Sequence, residues 1–503
     1  MKAINSRRFF SYFLCLFVLS GIPLTGLSEV KLQAPVISQG DSLVRADRVR
    51  ALYGLNGAGI TIGVISDSYN CLRGATAGQQ QGELPAEVVV LREADCQSEH
   101  AIDEGRAMLE VIHDLAPNAK LVFHAMGNNA IDFNQALNRV ADSGAQIIVD
   151  DAVFFHEPMF QDGLAAQTID QLVFERGIAY FSSSGNVGQN TYQAAFSDSQ
   201  TYPMGLKQGS AHDFNPHPKQ IDTCQSIAVG ADIFTVLSLQ WDQPAKSIAG
   251  NTGSASDLDV IFYDDPACKQ PSTERVIGGS TDNLGGDSIE VAGYDNKGNP
   301  QRKTLGIRIF LVAGPAPGLI KYVLSGSSLP SEHPSILEYA TSNALSSAFG
   351  HANASGAFIV GAVETASAKI GLWQTSYYSS HGGVPIVFDQ QGARLDQPLI
   401  RSHVDAVAPT NINTSFFTNT RPDLEHDGKP NFTGTSAAAP HAAAVAALLL
   451  QAAAQKGLEL KPPQLYRSLR DSSVDLGKPG FDFATGYGLI QADRAIKLLF
   501  GER

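Results

Sequence analysis

Short, nearly continuous apolar runs alternate with helix-period segments between residues 59 and 181, and this pattern restricts the fold more than any other feature. Gly59–Ser66 (GITIGVIS), Lys120–Phe123, Gln146–Val149 and Gly177–Phe181 read as strands. Ile102–Leu115, Asp132–Ser143 and Gly163–Arg176 read as helices, with Met108, Leu109, Ile112 and Leu115 at helical spacing in the first. Strands without polar alternation are buried on both faces. A mostly parallel sheet covered by helices is therefore predicted.

From about residue 201 the period changes to two. Leu237, Leu239 and Trp241 alternate with Ser238 and Gln240; Leu258, Val260 and Phe262 alternate with Asp259 and Ile261; Ile307, Ile309 and Leu311 alternate with Arg308 and Phe310. Gly, Asp, Asn and Pro clusters separate these runs, which predicts an antiparallel β-sandwich. Near Ala344 the α/β character returns. The expected divisions are a leader over 1–28, a first α/β part over 29–200, an inserted sandwich over 201–340 and a second α/β part over 341–503.

Composition bounds the partners. With 36 basic and 50 acidic residues the formal net charge is −14, which argues against nucleic acid or an anionic membrane surface. A hydrophobic share of 43% supports a sizeable core and excludes a mainly disordered chain. Lys2, Arg7 and Arg8 precede an apolar run from Phe9 to Leu24 and small residues up to Ser28, the order of a secretory signal peptide. The run is short for a membrane span. The expectation is a soluble, monomeric protein, extracellular or periplasmic, with no membrane attachment after cleavage. Between Ser28 and Gly59 there is room for an arm, not for a folded propeptide.

Cys15 leaves with the leader. Cys71, Cys96, Cys224 and Cys268 then permit three pairings, of which the sequence-local Cys71–Cys96 and Cys224–Cys268 are expected, with four free thiols as the alternative. No Cys/His spacing suggests zinc. Asp257, Asp259, Asp264 and Asp265 offer oxygen ligands for calcium, but solvated turn carboxylates are the simpler reading, and no cofactor is expected.

The long stretch Ala437–Ala454 is Ala-rich and contains Pro440 and His441, so it reads as a buried helix and not a membrane span. Pro440 is expected in its first turn, where a missing N–H costs little. Ser436 directly precedes this stretch. A hydroxyl there sits at the positive end of the helix dipole, among free backbone N–H groups that suit a developing oxyanion. A simple N-cap is the alternative.

The segment Gly434-Thr435-Ser436-Ala437-Ala438-Ala439-Pro440-His441 resembles the serine box of the subtilisin-like peptidases, GTS-x-A-x-P. Four more segments resemble that family in the same order. Gly63-Val64-Ile65-Ser66-Asp67-Ser68 is similar to its aspartate box, and Ser183-Ser184-Gly185-Asn186 to the segment carrying the oxyanion-hole asparagine. Asp405-Ala406-Val407-Ala408-Pro409 is similar to the strand before the serine, and Gly486-Tyr487-Gly488 with Ala492 to the closing segment. The resemblance implies a three-layer subtilisin-like α/β fold around a mostly parallel sheet, interrupted by the sandwich.

At the histidine box the sequence departs. Where subtilisins carry His-Gly at a helix start, this chain has Glu104-Gly105. The related sedolisins use a glutamate there, with an aspartate four residues on, where this chain has Met108, and an aspartate in the oxyanion hole, where it has Asn186. Of the histidines, His100 is the better substitute base; His113, nine residues after Glu104 on the same helix, faces away. His124 and His156 sit at strand ends and read as structural or exposed. Glu104 itself has the plain reading of a carboxylate complementing the helix dipole.

These resemblances imply a secreted serine endopeptidase acting on protein or peptide substrates. Ser436 would be nucleophile, Glu104 general base and acid, Asp67 the carboxylate sharing a proton with it, and Asn186 the oxyanion donor. A glutamate base predicts an acid-favouring pH profile. Asp150 and Asp151 stand where subtilisins carry the Ser-x-Gly strand that binds substrate backbone, so Asp151 is assigned to substrate binding, favouring basic side chains; an added carboxylate in the proton network and strand-end capping are the alternatives. The rival function is a catalytically impaired binding protein of the same fold.

Overall fold

The computed structural model describes residues 35–501 apart from 203–208, 218, 341–345, 366–373 and 418–422. The leader expected over 1–28 lies outside the described residues. Seven parallel strands form the central sheet: β1 (Thr61–Ser66), β2 (Val88–Arg92), β3 (Lys120–Ala125), β4 (Ile147–Asp150), β5 (Ala179–Ser183), β6 (Ala357–Glu364) and β7 (Ala406–Thr410). Their spatial order is β7-β6-β5-β4-β1-β3-β2, and every pairing is parallel. The burial of β1, β4, β5, β6 and β7 is nearly unbroken along each strand, as the lack of polar alternation predicts.

Two helices dominate one side. Helix α1 (Glu104–Leu115) packs against helix α2 (Thr435–Gln455), and α2 lies on β4, β5, β6 and β7. The helices Ala130–Asp142 and Leu164–Phe174 pack on each other and on β1, β3, β4 and β5. From β1 the chain first fills one side, with β2 at the edge and then β3 between it and β1, and afterwards moves outward on the other side through β4 and β5. The carboxyl ends of β1 and β4 therefore flank a crevice at a topological switch point, where open parallel sheets place their sites.

Helix α2 is long and apolar enough to cross a membrane, yet nearly all of it is buried within the protein. Alanine lets it approach the sheet closely. It starts at Thr435, so Pro440 is its sixth residue and not part of the first turn. The Ser436 carbonyl consequently lacks its usual i+4 amide partner. His441 is wholly buried. Its Nδ1 faces the Ala437 carbonyl at 2.8 Å and its Nε2 faces Ser38 Oγ at 3.1 Å, pinning the arm that precedes β1.

Two five-stranded antiparallel sheets are built between Thr191 and Ile336. They share one core in which Leu237, Leu239, Trp241, Leu258, Val260, Phe262, Ile307, Ile309 and Leu311 are all buried. These are the apolar members of the alternating runs. Strand Phe234–Trp241 also turns polar side chains to the α/β part. Ser238 Oγ donates to the Phe155 carbonyl (2.7 Å); Gln240 donates to the Glu157 carbonyl (2.9 Å) and accepts from Met159 N (2.7 Å). The sandwich thus braces the segment that follows β4. Cys71–Cys96 and Cys224–Cys268 are both disulfide-bonded. The aspartates weighed for calcium are spread out: Asp257 accepts from Asn283 N, Asp264 pairs with Lys303, and Asp265 caps its own turn.

Glu110, on α1, is 3% exposed and accepts from Ser415 N (2.9 Å) and Ser415 Oγ (2.7 Å). Burial raises its pKa to about 7. A carboxyl raised on folding stabilises the protein below its unfolded value and loses that contribution as pH rises through the folded value. Glu110→Gln removes the loss. Its stability relative to the parent should therefore rise between pH 4 and pH 8 by on the order of 3 kcal/mol, read from urea unfolding at both pH values.

Candidate active site

Asp67 is the first residue beyond β1, and its carboxylate is fully engaged. It accepts from Ile102 N (2.7 Å), Gly105 N (3.1 Å), Ser68 Oγ (3.1 Å) and Ser68 N. Gly105 N belongs to the first turn of α1, where negative charge is favoured, and Ile102 N to the segment just before it. Burial raises the Asp67 pKa, and the amide bonds oppose it.

Asp103, one residue before α1, is buried in the left-handed region (φ 63°). It accepts from Ser68 Oγ, Cys71 N and Leu72 N, and pairs with Arg106 at 2.8 Å. The Arg106 guanidinium in turn lies 3.4 Å from the Phe416 ring centroid. Gly105 follows Glu104 because nothing larger fits: an added Cβ would stand 2.4 Å from Phe123 and 2.8 Å from the Ser68 carbonyl oxygen. The helix start is therefore held in place, and Glu104 projects from it.

The Glu104 carboxyl lies near the Ser436 hydroxyl and the Asp151 carboxyl, and both act on its ionisation. Asp151 also faces Ser436, as well as Ser66. Both acidic residues are half-buried. Burial, then the charges of Asp151 and Asp67, raises Glu104 well above the ordinary glutamate range. Burial, then the charge of Asp67, raises Asp151 to about 7. Asp67 acts on Glu104 through its charge. The larger effect on Glu104 is that of Asp151.

Ser436 is the second residue of α2, and Gly434 before it has φ 126°, which favours glycine. Asn186 beside it is oriented by Thr435. Asn186 Oδ1 accepts from Thr435 N (2.9 Å) and Thr435 Oγ1 (3.0 Å), while Thr435 Oγ1 accepts from Gly185 N (3.2 Å). With its oxygen so engaged, the amide presents Nδ2 on the Gly434 side, at the mouth of the helix. This is the donor chemistry an oxyanion requires.

The histidines weighed as bases lie in other settings. His100 is exposed beside Glu99, and His156 is exposed. His113 is half-buried, and His124 Nδ1 faces the Ala125 carbonyl. Met108, one turn after Glu104, is wholly buried. Sequence reasoning missed His351, which bridges Asp150 Oδ1 (3.1 Å) and Glu157 Oε2 (2.6 Å) behind the site. Burial opposes its protonation, but Glu157 and Asp150 prevail and raise it to about 10. Only the pair Asp150-Asp151 hinted that a buried cation was needed.

The remaining motifs support the frame. Asp405 is bound by His403 Nδ1 (2.9 Å), Ile359 N (2.7 Å) and Arg470 Nε (2.8 Å), while Tyr487 N donates to the Asp405 carbonyl (2.9 Å). Residues 325–488, which contain these motifs and Ser436, match the family model Peptidase_S8, the subtilase family. Among solved structures, the CspB protease of Clostridium perfringens is similar over 92% of this chain and 99% of that one, with a TM-score of 0.53 and 13% identity. This chain has the subtilisin-like fold. A lanthipeptide protease covers 92% of this chain and 94% of its own, with a TM-score of 0.42 and 14% identity. Fervidolysin of Fervidobacterium pennivorans is 41% identical over 66 residues, which is 13% of this chain and 9% of the relative's length.

In this subtilisin-like frame Gly105 seats Glu104. Gly105→Ala should destabilise the protein by about 2 kcal/mol or more, measured by urea unfolding, because the added methyl meets a ring and a backbone carbonyl. A neutral effect would mean that α1 can shift away from β1.

Proposed function

We propose that this chain is a secreted serine endopeptidase with a carboxylate base. The observation that carries the reading is the Ser436 hydroxyl at the start of α2 with the Glu104 carboxyl against it. The Ser436 proton passes to ionised Glu104 as Oγ bonds to the scissile carbonyl carbon. The carbonyl π pair moves to oxygen, which Asn186 Nδ2 and the helix-start amides receive. Glu104 then donates the proton to the leaving amine as the C–N bond breaks, leaving an acyl-serine. Water repeats the sequence in reverse roles and frees the acid product. Asp67 holds the start of α1 and adds negative charge that keeps Glu104 a strong enough base.

The substrates are proteins or peptides. The two disulfides support export, because such bonds persist in oxidising compartments.

The pH profile follows from the sign of the shift. Below its raised ionisation Glu104 is protonated and cannot accept from Ser436, so activity rises with pH through that ionisation. The acid limb therefore lies above the ordinary glutamate range, closer to neutrality than the free residue type suggests. Purified protein incubated with a fluorophosphonate probe and a denatured protein from pH 3 to pH 9 tests the reading. Labelling is expected to vanish in Ser436→Ala and to fall about 100-fold or more in Glu104→Gln, with loss of the acid limb. Folded protein that is neither labelled nor active at any pH would make it a binding protein of this fold.

A further inference from the structure

We propose that Asp151 is a catalytic residue, the partner with which Glu104 shares its proton, and not a side chain for substrate recognition. The inference rests on Ser436 and Glu104 being the nucleophile and its base.

The argument begins with strand geometry. The β1–β4 register pairs Ile65 with Asp150, which brings Asp151 level with Ser66 and beside Asp67. Successive strand residues point to opposite faces, so two adjacent aspartates are sent to different places. Asp150 turns to a buried polar cluster, accepting from Tyr180 Oη (2.5 Å), Ser182 Oγ (3.3 Å) and Ala152 N (3.0 Å) and facing His351. Asp151 turns the other way, to Ser436, Glu104 and Ser66.

Asp67 is poorly placed for the same task. Three backbone N–H groups, and a Ser68 hydroxyl shared with Asp103, occupy its two oxygens, so it has little capacity left to hold or receive a proton. Among the described residues no backbone amide donates to Asp151. Ser66 Oγ, which faces Asp151, is wholly buried and has no hydrogen-bond partner among the described residues. That orphan donor stands ready to follow a change in the charge of Asp151.

Two neighbouring carboxyl groups cannot both ionise cheaply, so the pair holds one proton over the working range. At rest the proton lies mainly on Glu104, the more strongly raised of the two; attack proceeds from the form in which it has passed to Asp151, leaving Glu104 ionised toward Ser436. As Oγ bonds to carbon, the Ser436 proton moves to Glu104, and the pair becomes neutral with two protons. Donation of one proton to the leaving amine returns it to a single negative charge. Deacylation repeats the cycle with water in place of the serine. Proton and charge balance at each step without any further reactant. The raised ionisations of both groups agree with this sharing.

The test uses the full chain. Asp151→Asn keeps the shape but cannot exchange the proton. With a dye-labelled unfolded protein as substrate, kcat should fall by at least about 100-fold while KM changes by less than about threefold. An unchanged kcat with KM raised for basic substrates alone would overturn the proposal in favour of substrate recognition. Absence of Ser436-dependent labelling in the parent would instead fault the peptidase reading. Carboxyl 13C NMR titration then decides the pairing without activity. In the parent, the Glu104 and Asp151 signals should each report both ionisations, which requires no variant to fold. In Asp151→Asn the Glu104 ionisation should move down toward its ordinary value. Independent single transitions in the parent, or an unmoved Glu104 in the variant, would overturn the proposal.

Discussion

Ile65 of β1 stands opposite Asp150 of β4, in parallel register, at the one place where the chain leaves the sheet in both directions. The constraint is simple. Strand ends that are neighbours in the sheet must deliver their next residues to neighbouring points in space. Asp67 and Asp151 are those residues. A slip of one position in this register would turn Asp150 to the crevice and bury Asp151. Helix α1 and helix α2 then close the crevice with their N-termini, bringing Glu104 and Ser436.

Such a concentration of acid is costly, and the surroundings manage it in two ways. Some of these groups are given donors: Ile102 N and Gly105 N for Asp67, Arg106 for Asp103, His351 for the Asp150–Glu157 pair. Where donors are scarce, ionisation is suppressed, as at Glu104 and Asp151. The same division distinguishes groups that hold the frame from groups able to exchange protons. The sandwich contributes from a distance. Through Ser238 and Gln240 it steadies the segment running on from Asp151.

Much of this frame was legible in the residues. The apolar runs at 59–66, 146–149 and 177–181 marked strands because both faces of a parallel sheet are buried, and Leu237, Leu239 and Trp241 marked a sandwich because only one face is. Helix ends were less legible. Pro440 invited a first-turn placement, but the positive φ of Gly434 starts α2 at Thr435, several residues earlier. The site was legible in part. Motif order pointed to Asp67, Glu104, Asn186 and Ser436. It paired Glu104 with Asp67; the Asp67 oxygens face Ile102 N and Gly105 N, and Asp151, the residue after β4, is a second carboxyl that acts on Glu104 along with Asp67.

By itself the sequence determined which segments are strands and helices, that a sandwich interrupts an α/β region, and that a serine begins a buried helix. Each of these follows from local periodicity and turn chemistry, which a linear pattern carries. Tertiary structure alone decided which carboxyl groups are neighbours. It made Asp67 a helix cap, set Asp151 against Glu104 and Ser436, and placed His351 between Asp150 and Glu157. Those partners lie tens to hundreds of residues apart, and their distances depend on sheet register and helix packing, which no local pattern encodes.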